Sequence, residues 1–243
     1  MSFKNFFLFI ALTSALLLSS CEDKKKASEV KKVNEIANDS VAIEKKDLKG
    51  PQSEEINKYP KITNDNVVEF LTNYGKENPE TKVRITTQQG NIDLQLFKDT
   101  PLHRANFIYL VKQKYFDGNF FHRVVPKFII QAGNSDLTLT PKKRAAIGHD
   151  YLLPAELDNN RKHTYGTISG AKEYRENPDK KSAPFEFFIF LGPQSSTGHL
   201  NGSYTIFGKV TKGMDVVEKI ANLPSDEGDW PLQNVYITAH ILE

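Results

Sequence analysis

Few side chains in this chain of 243 residues combine a reactive type with a spacing that would let them act together. Cys21 is the single cysteine, so an intrachain disulfide is impossible and no cysteine pair is available for zinc. The six histidines, His103, His122, His149, His163, His199 and His240, contain no short-spaced pair able to place two imidazoles on one metal. No metal and no other cofactor is therefore expected. What remains is a cation in an apolar setting, Arg123, which follows Phe121 and His122 and is followed by Phe128, Ile129 and Gln131. Taken singly, Arg123 reads as a solvated charge on a strand, and Phe128, Ile129, Phe188 and Leu200 read as core. His122 reads as a buried, hydrogen-bonded structural residue.

The elements that would carry these residues follow from periodicity. From Lys82 the period is two: Val83, Ile85 and Thr87, a turn at Gln89-Gly90-Asn91, then Ile92, Leu94 and Leu96, which is a hairpin pattern. Thr100-Pro101 marks a helix start with Thr100 as N-cap, and Phe107, Leu110 and Val111 form one apolar face. Further strands are expected at 119–125, 128–131, 165–169, 186–190 and 204–210, with a last one through Val235, Ile237, Ala239 and Ile241. A second helix is expected through Met214, Val217, Ile220 and Ala221. A short helix over 65–74, opened by a capping box at Asn66 and Glu69 and stopped by Gly75, leads into the domain. Leu137–Leu153, with Lys142-Lys143-Arg144, is expected as a solvated loop, the alternative being a specificity element for extended substrates. Many strands, two helices and no βαβ rhythm give a mainly β fold, a closed antiparallel barrel.

The balance of charge is too mild to imply a polyanion-binding role. The formal net charge is +2, so no nucleic acid is expected as partner. Residues 1–20 read as an export signal: Lys4 supplies a positive start, and Phe6–Leu18 is too short for a membrane span, which needs about 20 apolar residues. Leu18-Ser19-Ser20-Cys21 resembles the lipobox of bacterial lipoproteins, in which the cysteine becomes the lipid-bearing N-terminus. The expected location is thus the bacterial cell envelope, with a lipid tether to a membrane at Cys21. From Glu22 to Pro60, nine lysines and nine acidic residues cancel, and no aromatic residue of that stretch precedes Tyr59. Such a composition reads as a flexible charged linker over 21–60. The remaining chain divides into a short helical extension, 61–80, and the folded domain, 81–243. Without heptads or a long apolar stripe, a monomer is expected.

Three stretches of the domain resemble the cyclophilins. Tyr115-Phe-Asp-Gly-Asn-Phe-Phe-His-Arg-Val-Val-Pro-Lys-Phe-Ile-Ile-Gln-Ala-Gly-Asn134 is similar to that family's central signature. Gly166-Thr-Ile-Ser-Gly-Ala171 is similar to its Gly-x-Leu-Ser-Met-Ala strand. Glu186-Phe-Phe-Ile189 followed by Leu200-Asn-Gly-Ser-Tyr-Thr-Ile-Phe-Gly-Lys-Val210 is similar to its Gln-Phe-Phe-Ile, Leu-Asp-Gly and Phe-Gly-x-Val segments. The resemblance implies an eight-stranded antiparallel β-barrel capped by two α-helices. It also implies peptidyl-prolyl cis-trans isomerase activity on proline-containing polypeptides, here exported or unfolded proteins.

The same resemblance implies the roles. Arg123 is the catalytic donor; Phe128, Ile129, Phe188 and Leu200 form the proline socket; Gln131 contacts the peptide backbone. Ala171 and Lys172 line the groove, and Tyr204 stands at the socket edge where the family usually has histidine. Two positions depart from the pattern. Glu186 replaces a glutamine that orients the arginine, so it either pairs with Arg123 and holds it or drains its charge. His199 falls where many members carry a tryptophan that contacts cyclosporin. The rival reading is a proline-peptide-binding holdase or scaffold without turnover, for which Glu186 is the main support.

Overall fold

A computed structural model describes residues 59–172 and 177–243. The export signal, Cys21 and nearly all of the expected linker lie outside the described residues. The elements run α1 (Val67–Glu77), β1 (Lys82–Thr87), β2 (Gly90–Leu96), α2 (Pro101–Lys112), β3 (Phe120–Val125), β4 (Ile129–Asn134) and α3 (Leu139–Ile147). They continue with β5 (Thr167–Gly170), β6 (Phe187–Phe190), a 3-10 turn (Gln194–His199), β7 (Ile206–Lys212), α4 (Met214–Ala221), β8 (Val235–Tyr236) and β9 (Thr238–Ile241). The strands form one antiparallel sheet in the order β8-β3-β4-β6-β5-β7-β2-β1-β9.

This is a nearly closed barrel, and the closure explains the strand count. β8 pairs with β3 at one end of the order, and β9 pairs with β1 at the other. The two are halves of one C-terminal strand interrupted at Ile237, whose N–H donates to Asn119 O at 2.8 Å. The expected eighth strand is thus split, which gives nine.

Strict alternation sorts the apolar residues into two clusters. On β6, Phe187 and Ile189 point into the main core with Phe107, Phe121 and Ile130, whereas Phe188 and Phe190 point the other way. On β4, Ile130 and Ala132 join the main core and Ile129 joins the second cluster. An unbroken Phe-Phe-Ile-Phe run follows from this, because both faces of the strand are covered.

The helix ends differ from the sequence expectation. α1 runs through Gly75 to Glu77, and Gly75 is a packing residue rather than a stop. A Cβ there would sit 3.0 Å from both Ala105 Cβ and Arg104 Nη2, so any larger residue would press α1 and α2 apart by a few tenths of an ångström. Arg104 in turn caps the end of α1, donating from Nη2 to Gly75 O (2.8 Å) and from Nη1 to Asn78 O (2.7 Å). The Asn66 side chain does not cap α1 as a capping box would; its Oδ1 accepts from Thr63 N instead. Nor does Thr100 cap α2: Leu102 N and His103 N donate to the two oxygens of Glu156 at 2.9 and 3.0 Å. A full negative charge matches the positive helix end better than a hydroxyl does.

The expected solvated loop over Leu137–Leu153 contains α3. Its buried residues are Thr140, Lys143 and Ile147, a helical face disguised by two polar types. Lys143 is anchored by three carbonyls, Lys114 O (2.8 Å), Tyr115 O (3.2 Å) and Asp117 O (2.7 Å), and burial holds its amine below the usual lysine range.

Candidate active site

β3 positions Arg123. Phe121 pairs with Ala132 and Arg123 with Gln131, so two steps on β3 match one on β4 and His122 is the extra residue of a bulge. Bulges re-aim side chains and increase local twist. Here the bulge leaves Phe121 fully buried in the core while Arg123, two residues on, is partly exposed at a groove. In the next strands Gln131 pairs with Phe188, and Phe188 with Ser169, so Arg123, Gln131 and Phe188 lie in one row across β3, β4 and β6.

The groove has a volume of about 520 Å³ and is lined by Arg123, Phe128, Ile129, Gln131, Ala171, Lys172, Asn177, Phe188, His199, Leu200 and Tyr204. Nine of the ten expected site residues are therefore brought together. Its apolar wall is the second cluster: Ile129, Phe188, Phe190 and Leu200, with Val125, Phe128 and Tyr204 packed against it. The Phe188 and Tyr204 rings meet edge to face at 5.6 Å, and Lys172 Nζ lies 4.6 Å from the Tyr204 ring centroid. Burial, and then neighbouring Lys180, lower the Lys172 amine from its usual range.

Behind the socket His163 is held at both ring nitrogens. Asn201 Oδ1 accepts the His163 backbone N–H at 2.8 Å and therefore also faces Nδ1, at 2.9 Å, as an acceptor. Nδ1 must carry the proton, and Nε2 accepts from Ser169 Oγ at 2.9 Å. Burial lowers the imidazole below its usual range, which agrees with this tautomer. The ring stacks on Phe188 at 5.9 Å and so backs the socket floor.

Glu186 is the expected site residue that the groove leaves out, and it does not pair with Arg123. Its Oε2 accepts from Gln131 Nε2 at 2.9 Å, and its Oε1 faces Arg144 Nη2 of α3 at 3.3 Å. Burial pushes its carboxyl up, but the His122 imidazole 3.6 Å away, Arg144 and Gln131 outweigh this and hold it below the usual carboxylate range. His122 itself is buried, but its Nδ1 has no hydrogen-bond partner among the described residues. The expectation of a hydrogen-bonded histidine is corrected at that nitrogen; the ring packs 5.9 Å from Trp230 instead.

Arg123 pairs elsewhere. Its Nε donates to Asp229 Oδ2 at 3.2 Å. Neither Asp229 nor Asn177 stands in any motif that would have marked it from sequence, since both come from loops joined to the site only by the fold.

One other constellation has the geometry of a nucleophile triad. Ser182 Oγ lies 2.9 Å from His103 Nε2, and His103 Nδ1 lies 2.7 Å from Glu156 Oε2. Ser182 has no solvent exposure, and the adjoining cavity is only about 10 Å³. No substrate can reach it. A Cβ on Gly170 would meet Ser182 Oγ at 2.7 Å, so this constellation is a packed tie that joins His103 of α2 to Glu156, Gly170 of β5 and Ser182.

The arrangement can bind an apolar ring and direct a guanidinium at it. Comparison with known proteins agrees. Residues 82–241 match the family model described as cyclophilin type peptidyl-prolyl cis-trans isomerase/CLD. A peptidyl-prolyl cis-trans isomerase of Acinetobacter baylyi is 37% identical over 148 residues, covering 60% of this chain and 74% of that protein. Peptidyl-prolyl cis-trans isomerase A of Dickeya dadantii is 36% identical over 160 residues, covering 64% and 78%. The solved structure of a cyclophilin type isomerase of Cryptosporidium parvum, in the presence of the dipeptide Ala-Pro, superposes with a TM-score of 0.55 at 28% identity. It covers 67% of this chain and 99% of that one. With the barrel, the groove and these relatives in agreement, the chain belongs to the cyclophilin-type peptidyl-prolyl cis-trans isomerases.

Proposed function

We propose that Arg123 carries the isomerisation and that the cluster of Phe128, Ile129, Phe188 and Leu200 holds the proline ring. Rotation about an X-Pro bond faces a resonance barrier of about 18–20 kcal/mol and takes tens to hundreds of seconds unaided. As the bond twists, the imide nitrogen regains its lone pair and becomes an acceptor. A guanidinium aimed at that nitrogen stabilises the twisted state and neither planar isomer, which is the condition for acceleration. The observation that carries this reading is that Arg123 and the socket residues line one groove. Gln131, in the same row, supplies a backbone contact to the peptide, and Ala171, Lys172 and Tyr204 line its path. The Ala-Pro dipeptide used with the solved relative supports a proline-containing polypeptide as substrate.

The test is isomerisation of a short X-Pro peptide by the full chain and by Arg123→Ala. A charged hydrogen bond contributes about 1.5–3 kcal/mol, so the variant should lose about ten- to a hundredfold in kcat/KM. Wild-type rates in Arg123→Ala would sink the assignment. The holdase reading rested on Glu186 weakening Arg123, and the two side chains have separate partners, so it loses its main support.

The run from Leu18 to Cys21 supports a lipid-anchored form in the cell envelope acting on exported clients. Among the described residues no helix is long and apolar enough to cross a membrane. The tether proposed is the lipid on Cys21. Cys21→Ser should move the protein from the membrane fraction to the soluble fraction; an unchanged distribution would refute the anchor.

A further inference from the structure

Residues 224–234, between α4 and β8, form a turn that is built up independently of Arg123 and then laid against it. Asp226 Oδ1 accepts from Gly228 N at 2.8 Å and Trp230 N at 2.9 Å, and Asp226 N donates to Trp230 O at 2.9 Å. The closed turn is pinned on β3 twice. Val124 N donates to Asp229 O at 2.8 Å, and the Trp230 ring meets Phe120 edge to face at 5.5 Å. Asp229 has a φ of +64°, in the left-handed region that Asp enters more readily than most L residues. Its carbonyl binds the residue after Arg123 while its carboxylate takes the Arg123 Nε–H. The two terminal nitrogens of Arg123 make no hydrogen bond to any other described residue, and Arg123 lines the groove.

We propose that Asp229 is a positioning residue for Arg123: a fixed turn holds the Nε edge of the guanidinium and leaves the two terminal nitrogens for the bound imide. This rests on the reading of Arg123 given above. A free arginine side chain samples many rotamers, and fixing one edge removes that freedom before the substrate arrives. Both partners are partly open to water, 32% for Arg123 and 40% for Asp229, so the pair adds little to stability. Its effect falls on rate.

The test uses the full chain with D229G and D229N. Both replacements tolerate positive φ, so the turn is kept. D229G removes the acceptor, whereas D229N keeps an oxygen for Nε–H without the charge. D229G should lose about tenfold in kcat, with KM within about twofold and an unchanged melting temperature, and D229N should recover at least half of the wild-type kcat. Wild-type kcat in D229G overturns the proposal. So does an equal loss in D229N, which would make charge rather than orientation the operative property. A rise in kcat in both variants overturns it too, by showing that the carboxylate drains the guanidinium. R123A is measured alongside. Collapse of R123A with a wild-type rate in D229G removes this inference alone; wild-type turnover in R123A removes the reading of Arg123 itself.

Discussion

Gln131 Nε2 donates to Glu186 Oε2 across 2.9 Å. A carboxylate accepts only, so this contact settles which way the Gln131 amide points: nitrogen toward Glu186, oxygen left for the groove. A glutamine at 186 could present either atom and would leave the amide free to flip. Glu186→Gln should therefore raise KM for X-Pro peptides by about two- to fivefold and leave kcat within about twofold. A loss confined to kcat would mean that Glu186 acts on Arg123 after all.

The same carboxylate makes stability depend on pH. Its folded value lies below the ordinary one, so in acid the unfolded chain binds the proton more readily than the folded chain. The stabilisation is complete above the unfolded value of about 4.3 and is lost as pH falls through the folded one. Urea midpoints measured from pH 6 down to pH 3 should fall for wild type and fall less for Glu186→Gln. Parallel curves would assign acid sensitivity to the other depressed carboxylates, Glu80 beside Lys112 and Asp93 beside Arg84.

What the sequence revealed and concealed divides along physical lines. β3, β4 and β6 were legible because alternation and the apolar run record a barrel wall covered on both faces, and the groove residues sit on those strands or beside them. α3 was hidden because its inward face is Thr140, Lys143 and Ile147, and Lys143 is buried only because the backbone supplies three carbonyls to its amine. Glu186 was expected at the site beside Arg123 but lies outside the groove lining, and Arg144, its counter-ion, belongs to that hidden helix. Asp229 was invisible for a related reason: it lies 106 residues from Arg123, and only the turn it belongs to brings the two together.

Arg104 joins the N-terminal helix to the barrel. It is buried, and its guanidinium serves the carbonyls of Gly75, Asn78 and Glu80. Arg104→Ala leaves those acceptors without their donor and should cost about 3 kcal/mol of stability, read as a lower urea midpoint, with kcat unchanged well below the melting temperature. Lysine has no fork to span three carbonyls, so Arg104→Lys should recover only part of the loss. Full recovery by lysine would reduce the role to charge alone.

His199 lies on the groove, with its ring tilted against Phe128 at a centroid distance of 6.1 Å. The family resemblance places here a tryptophan that contacts cyclosporin, and an imidazole offers that ligand less apolar surface. Cyclosporin should accordingly inhibit this enzyme weakly. His199→Trp adds on the order of 50 Å² of apolar contact, worth about 1.3 kcal/mol at 25 cal/mol per Å², so inhibition should tighten by about tenfold. Turnover of small X-Pro peptides should change far less, because the socket proposed for the proline ring is built on Ile129, Phe188 and Leu200, which are buried in the groove's apolar cluster. Sub-micromolar inhibition of the wild-type chain, or no tightening in the tryptophan variant, would show that ligand affinity at this rim is set by residues other than 199.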